Sequence, residues 1–236
     1  MSSEKRMRIV NVNGSPHAEI GNTHALLKRF IEKINSEGYE VELTNHFLVK
    51  EKIEGCRGCT RCMRRGVCVL ESKDDVKAII DDMINADIVV YSTPIFVMHV
   101  TGYMKRYLDR TAYVTHRMLL EGKRGFYVLA SQGLGIDETS AYVRHVMEAM
   151  GVDVMGSVLG TAIVHGQFLN DEEIDKSIDA LIEEIKTGAA AKEKCRSEDN
   201  AIRNKFNLLL EQEDISKKLF GADYKYWKER EASKNG

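Results

Sequence analysis

The chain has 236 residues, 43% hydrophobic and 30% charged, with a formal charge of −2 at neutral pH. That is ordinary globular composition, enough for one large domain with its own core, and the charge balance argues against nucleic acid as a partner. Apolar runs such as Ile88–Tyr91 are far too short to span a membrane.

Arg8–Asn13 reads as a short buried strand, and Thr23–Glu37 as a helix with Leu26, Leu27, Phe30, Ile31 and Ile34 at helical spacing before the stop at Gly38. Glu40–Thr44 alternates as a half-buried strand does. Asp75–Asn85 is helical, and Asp87–Ser92 is a continuous apolar strand of the fully buried kind. Thr101–Arg117 reads as one helix, Gly125–Ala130 as a strand, Thr139–Met150 as a helix, Val152–Leu159 as the fifth strand and Glu172–Lys186 as the fifth helix. Five strand–helix alternations predict an α/β domain, a parallel sheet covered on both faces, over residues 1–187. Residues 188–236 read as a linker, Ala189–Asn200, then a helical extension carrying Ile202, Phe206, Leu209, Leu210, Leu219, Tyr224, Tyr226 and Trp227. Packing on the main domain or against another subunit suits this stripe better than a lid. No apolar export segment follows Met1–Arg6, so a cytoplasmic location and reduced cysteines are expected.

The first strand runs into Asn13-Gly14-Ser15-Pro16-His17-Ala18-Glu19-Ile20-Gly21-Asn22-Thr23 ahead of a helix. Unpaired helix N-terminal amides and the positive dipole end suit a phosphate, and Ser15, Asn22 and Thr23 add side-chain donors. The loop is neither a Walker loop nor a dinucleotide fingerprint. By itself it is equally a polar turn with Asn22 as the helix cap. Two further loops change the balance: Ser92-Thr93-Pro94-Ile95-Phe96-Val97-Met98-His99 after the third strand, and Ser131-Gln132-Gly133-Leu134-Gly135 after the fourth. With the helix ending in Asp109-Arg110, these motifs resemble the NADPH-dependent FMN reductase superfamily of flavodoxin-like proteins, over about Arg8–Gly160.

That resemblance implies a flavodoxin-like, doubly wound sheet of five parallel strands in order 2-1-3-4-5. It implies FMN as cofactor, its phosphate on Ser15, Asn22 and Thr23 with His17 nearby. Pro94, Ile95 and Phe96 would line the isoalloxazine, Met98 and His99 would narrow its access, and Ser131, Gln132 and Gly133 would close the other side. His17 replaces a common Arg, and Phe96 a common Tyr; His99 is given no catalytic role, and no dedicated nicotinamide fingerprint is present.

Cys56, Cys59, Cys62 and Cys68 form C-x2-C-x2-C-x5-C in a loop at 55–69, after the second strand and at the sheet end of the other loops. Three thiolates at this spacing can turn inward on three corners of a cube, and a fourth can reach the last iron. Zinc or metal-free thiols are the alternatives, zinc sites more often using two well-separated pairs. Cys195 is expected to be an unrelated thiol. Together with the flavin motifs the loop resembles the iron–sulfur flavoprotein family. This implies an FMN oxidoreductase with a [4Fe–4S] cluster, a homodimer or homotetramer exchanging electrons with a ferredoxin-type carrier. The rivals are a cluster-free reductase using NAD(P)H for FMN or quinone, and a zinc-bearing interaction module. Arg57, Arg61, Arg64 and Arg65 lie in or beside the loop, a basic patch able to steer an acidic donor.

Overall fold

Strand β1 (Lys5–Asn13) turns Met7 and Ile9 to one face and Val10 and Val12 to the other, so both faces must be covered. The helices that cover them divide between these two faces. A computed structural model describes residues 5–188, 204, 208 and 211–234. The elements are β1, α1 (Asn22–Ser36), β2 (Tyr39–Phe47), α2 (Arg61–Arg65), α3 (Val76–Asn85), β3 (Ile88–Phe96), β4 (His99–Val100) and α4 (Gly102–Arg110). There follow α5 (Ala112–Arg117), β5 (Arg124–Ser131), α6 (Ile136–Ala149), β6 (Asp153–Val164), β7 (Gln167–Phe168), α7 (Asp171–Thr187) and α8 (Glu213–Lys234).

The parallel strands run in the order β2-β1-β3-β5-β6, the expected 2-1-3-4-5. Two short antiparallel strands are added: β4 folds back on β3, and β7 on β6. On one face α1 and α7 supply Leu26, Leu27, Phe30, Ile34, Ile174, Ile178, Leu181 and Ile182. On the other, Ile79, Met83, Met104, Tyr107, Val143 and Met147 from α3, α4 and α6 meet Val89, Tyr91 and Leu129. Nearly all of this apolar surface leaves water, which is the main stabilising contribution.

The single helix read over Thr101–Arg117 is two. At Thr111 the backbone leaves the helix (φ −93°, ψ 12°) and the hydroxyl donates to the Leu108 carbonyl at 2.9 Å. A β-branched residue that bonds its own preceding turn competes with helix continuation. Helix α6 starts at Ile136, before the expected Thr139, because Gly135 at φ +74° supplies the left-handed turn into it.

Helix α8 packs on α2 and α5, with Trp227 buried beside Met118. Close approach needs Gly221, where an added Cβ would lie 3.2 Å from the Arg64 carbonyl oxygen. The expected linker, with Cys195, and Ile202, Phe206, Leu209 and Leu210 lie outside the described residues. Among the described residues no helix is long and apolar enough to cross a membrane.

Candidate functional site

The carboxyl ends of β1, β3 and β5 open onto a cleft of about 550 Å³. In an open parallel sheet this is where ligands bind, since neighbouring crossovers diverge at the switch point and leave room. Ser15, His17 and Asn22 line it from the first loop, Pro94, Ile95, Phe96 and Met98 from the second, and Ser131 and Gln132 from the third.

The first loop is held by its own polar groups. Asn13 Oδ1 accepts from the Ser15 amide at 2.8 Å and, more distantly, from the Thr23 hydroxyl at 3.4 Å. Ser15 Oγ accepts from the His17 amide at 3.2 Å, and Asn22 Oδ1 from the Gly166 amide at 2.8 Å. The Gly14 amide donates to the Ser92 carbonyl at 2.7 Å, and Thr101 Oγ1 donates to the Gly14 carbonyl at 2.7 Å. An added Cβ at Gly14 would stand 2.8 Å from Met104 Cβ, and one at Gly21 would stand 2.6 Å from Ser15 Oγ. Thr23 is buried beneath the loop, and helix α1 brings its unpaired first-turn amides to this end of the sheet. A backbone this close-packed around a helix N-terminus fits a phosphate.

The second loop is a two-residue hairpin between β3 and β4, with Ile95 opposite Val100 and Phe96 opposite His99. Its central residues, Val97 (φ 49°) and Met98 (φ 66°), are both left-handed. This turn type normally takes Asn-Gly, and a β-branched residue there is strained. Val97 is 97% exposed, and with half-exposed Phe96 it forms an apolar lip on the cleft. The hairpin rests on Gly135, whose added Cβ would lie 2.7 Å from Met98 Cα, and Thr139 Oγ1 donates to the Met98 carbonyl at 3.3 Å.

His99 does not reach the cleft lining. Strand alternation in β4 sends its ring onto Tyr142 of α6, centroids 4.4 Å apart. In the third loop Ser131 Oγ donates to the Leu134 carbonyl at 2.8 Å and accepts from the Gly133 amide at 3.0 Å. Gly133, at φ +108°, shapes that turn rather than lining the cleft. Leu134, Ala162 and Ile163 also line it, and nothing in the periodicity of the chain singled them out.

The cysteine loop leaves β2 at the cleft end, where the Leu48 amide donates to the Asn13 carbonyl at 2.9 Å. It then runs along the outer helices, so none of the four cysteines lines the cleft. The loop closes on its own start, the Asp75 amide donating to the Lys52 carbonyl at 2.9 Å and Asp74 accepting from the Glu54 amide at 3.0 Å. Cys68 is drawn to the far end of α4, where Arg110 Nη2 donates to its Sγ at 3.4 Å. Cys62 sits in α2, entered and left through left-handed Thr60 and Gly66, and Arg117 Nη2 donates to its carbonyl at 2.7 Å. Burial pushes the Cys62 thiol up, and the charge of Cys68 adds to this. All four thiols are free; Cys56 and Cys59 are exposed, and Cys62 and Cys68 half-buried. The donor set, four soft thiols in one loop, suits a thiolate-held metal in kind. Its arrangement is open: among the described residues no three His, Cys, Asp or Glu converge as a metal group.

A doubly wound sheet with this cleft at its switch point defines a flavodoxin-like protein. The NADPH-dependent FMN reductase family matches residues 7–165, and the chain belongs to it. It is a flavin-dependent oxidoreductase, with FMN as the flavin of its family. An iron–sulfur flavoprotein from Archaeoglobus fulgidus is 28% identical over 95% of this chain and 99% of its own. In fold the chain is similar to RosB (TM-score 0.59, 14% identity, covering 88% of this chain and 87% of that one). It is also similar to an NADH:FMN oxidoreductase (TM-score 0.54, 21% identity, covering 75% and 89%).

Proposed function

We propose that the protein transfers electrons between a ferredoxin-type carrier and FMN through a [4Fe–4S] cluster held by Cys56, Cys59, Cys62 and Cys68. The observation that carries this reading is the joint presence of a phosphate-type cleft and four free thiols within one loop of a single chain. The name of the Archaeoglobus relative, matched over nearly its full length, supports it.

When bound, FMN supplies one- or two-electron transfer and the cluster one-electron transfer. The chain's own residues do the rest. Ser15, Asn22 and the amides opening α1 hold the phosphate, with His17 at the mouth and Thr23 supporting the loop from below. Pro94, Ile95, Phe96 and Met98 present an apolar wall to the ring, and the Ser131-Gln132-Gly133 turn, kept in shape by the Ser131 hydroxyl, bounds the other side. The Val97 lip keeps water from the ring face. Arg57, Arg61, Arg64 and Arg65 are all exposed around the cysteines, a basic surface suited to an acidic carrier. The exposed apolar rim at Val97, Leu134 and Ile163 suits a homodimer or homotetramer. NAD(P)H as the donor, with no cluster, is the second reading, favoured by the family's NADPH dependence.

Iron, acid-labile sulfide and flavin analysis of anaerobically purified protein separates the two. FMN with about four irons per chain supports the first reading; FMN without iron, reduced directly by NAD(P)H, overturns it. Recovery of FAD would sink the flavin assignment. Cys59→Ser is expected to lose or degrade the cluster while FMN stays. The basic patch is tested by salt: ferredoxin-driven reduction slows as the Debye length falls from about 10 Å at 0.1 M to about 3 Å at 1 M. Arg64→Glu with Arg65→Glu slows it further at low salt.

A further inference from the structure

Two arginines far from the cysteines in sequence grip the loop from behind. Arg110 has a side chain only 2% exposed, and its partner Asp74 is 0% exposed. A buried ion pair is weak evidence for stability, because apolar residues of the same size usually serve as well. Its groups here point to another use. Arg110 Nη1 donates to Asp74 and to the Glu54 carbonyl at 2.9 Å; Nη2 donates to Asp74 at 3.3 Å and to Cys68 Sγ at 3.4 Å. Its Nε is buried with no acceptor among the described residues. Asp74 in turn accepts from the Glu54 amide at 3.0 Å, so the guanidinium is pinned against the loop on both sides.

Arg117 repeats the arrangement one helix later. Its Nε donates to Asp223 at 2.7 Å and its Nη2 to the Cys62 carbonyl at 2.7 Å. Asp223 is fully buried and belongs to α8; it also pairs with His116 Nδ1 at 3.0 Å. Trp227 Nε1, from the same helix, donates to the His116 carbonyl at 3.0 Å. Each of the two half-buried cysteines thus meets a guanidinium whose charge is balanced on its far side by a buried aspartate.

We infer that Arg110 and Arg117 are positioning residues of the cysteine site, that the Arg110 bond to the Cys68 sulfur favours the reduced site, and that α8, through Asp223, is part of it. This rests on the cluster reading above. An N–H donated to a ligating sulfur stabilises the form with more negative charge, and partners of this outer kind orient the ligands themselves. The four loop arginines cannot do this as well, because they are exposed and their charges are screened by water and salt.

The test is a redox titration of anaerobically purified full-length protein, followed by cluster absorbance and electron paramagnetic resonance. The parent is compared with Arg110→Lys, which keeps a cation for Asp74 but replaces the fork by a single ammonium. A second variant, Arg110→Met with Asp74→Asn, removes both charges and so leaves none buried alone. In both, the reduction equilibrium of the cluster is expected to fall about tenfold, about 59 mV for a one-electron couple, with FMN retained. Arg117→Lys is expected to shift it less, since it meets a carbonyl and not a sulfur. Asp223→Asn is expected to lower iron and sulfide content without loss of FMN. A parent with FMN but no iron or sulfide overturns the cluster reading and this inference with it. A parent with a full cluster, and Arg110 variants of unchanged potential and iron content, overturns the inference alone.

Discussion

The cleft and the cysteine loop are assembled from different ranges of the chain. In the cleft, side chains two residues away shape the turns, Asn13 holding Ser15, Ser15 holding His17 and Ser131 holding Gly133, while Ser92, Thr101 and Gly166 tie the first loop to the rest of the sheet end. In the cysteine loop the internal bonds are mostly backbone turns around Thr60 and Cys62, and the side chains that grip it come from afar: Arg110, Arg117 and, through Arg117, Asp223. A site of the first kind forms where neighbouring strands of the sheet bring their loops together. A site of the second kind depends on helix packing, including the docking of α8. Damage to distant helices should therefore separate the two, and damage to the glycines of the first cleft loop, Gly14 and Gly21, should strike the cleft alone.

The largest effect is expected at the buried pair. Arg110→Met leaves Asp74 charged and alone, and unfolding by urea should show a loss of about 3–5 kcal/mol. Adding Asp74→Asn should recover much of it. Equal losses in the single and double variants would show that the pair is not coupled. Trp227→Ala comes next, at about 3–5 kcal/mol if α8 unfolds with the domain. If α8 releases locally, limited proteolysis should cut within 213–234 while bound FMN remains. Loss of FMN at the same rate would break the proposed separation of the two sites.

Gly21→Ala places a Cβ against the Ser15 hydroxyl, an overpacking worth about 1–3 kcal/mol. It should weaken FMN retention without altering iron content. Ser15→Ala with Thr23→Val should act in the same direction with less change in stability, as measured by flavin released on dilution. The smallest effect concerns pH. His24, buried against Phe47 with ring centroids 5.3 Å apart, has its pKa lowered from 6.5, first by burial and then by Lys28. The unfolded chain then binds the proton more readily. The stability His24 contributes is full above pH 6.5 and declines as pH falls from there toward the lower folded value. Replacing His24 by Leu should flatten that part of a melting-temperature profile; an unchanged slope would place the acid sensitivity elsewhere.

Much of this was legible in the residues, and the reason is periodicity. Ile88–Tyr91 is apolar at every step because β3 is covered on both faces, and the Leu26–Ile34 stripe is apolar at helical spacing because only one face of α1 is covered. Loops rich in Gly and Ser at the ends of such strands point to the cleft for the same local reason. The two added strands were not legible: β4 and β7 have two residues each, too few for alternation to show. The Val97-Met98 turn lacks the Asn-Gly chemistry that marks a hairpin, because packing on Gly135 imposes its backbone. His99 was expected to narrow access to the flavin, and pairing within that unread hairpin sets its ring against Tyr142, outside the cleft lining.

By itself, then, the sequence determined the strand and helix alternation, the sheet order through its family motifs, and the composition of the loops. Those depend on local period and local backbone freedom. Only the tertiary structure decided which arginines face the cysteines. Arg57, Arg61, Arg64 and Arg65 are near in sequence and exposed, while Arg110 and Arg117 are 42 and 55 residues from the cysteines they touch. A buried charge has to find its counter-charge wherever the packed helices bring one, and for Arg117 that is Asp223, 106 residues on.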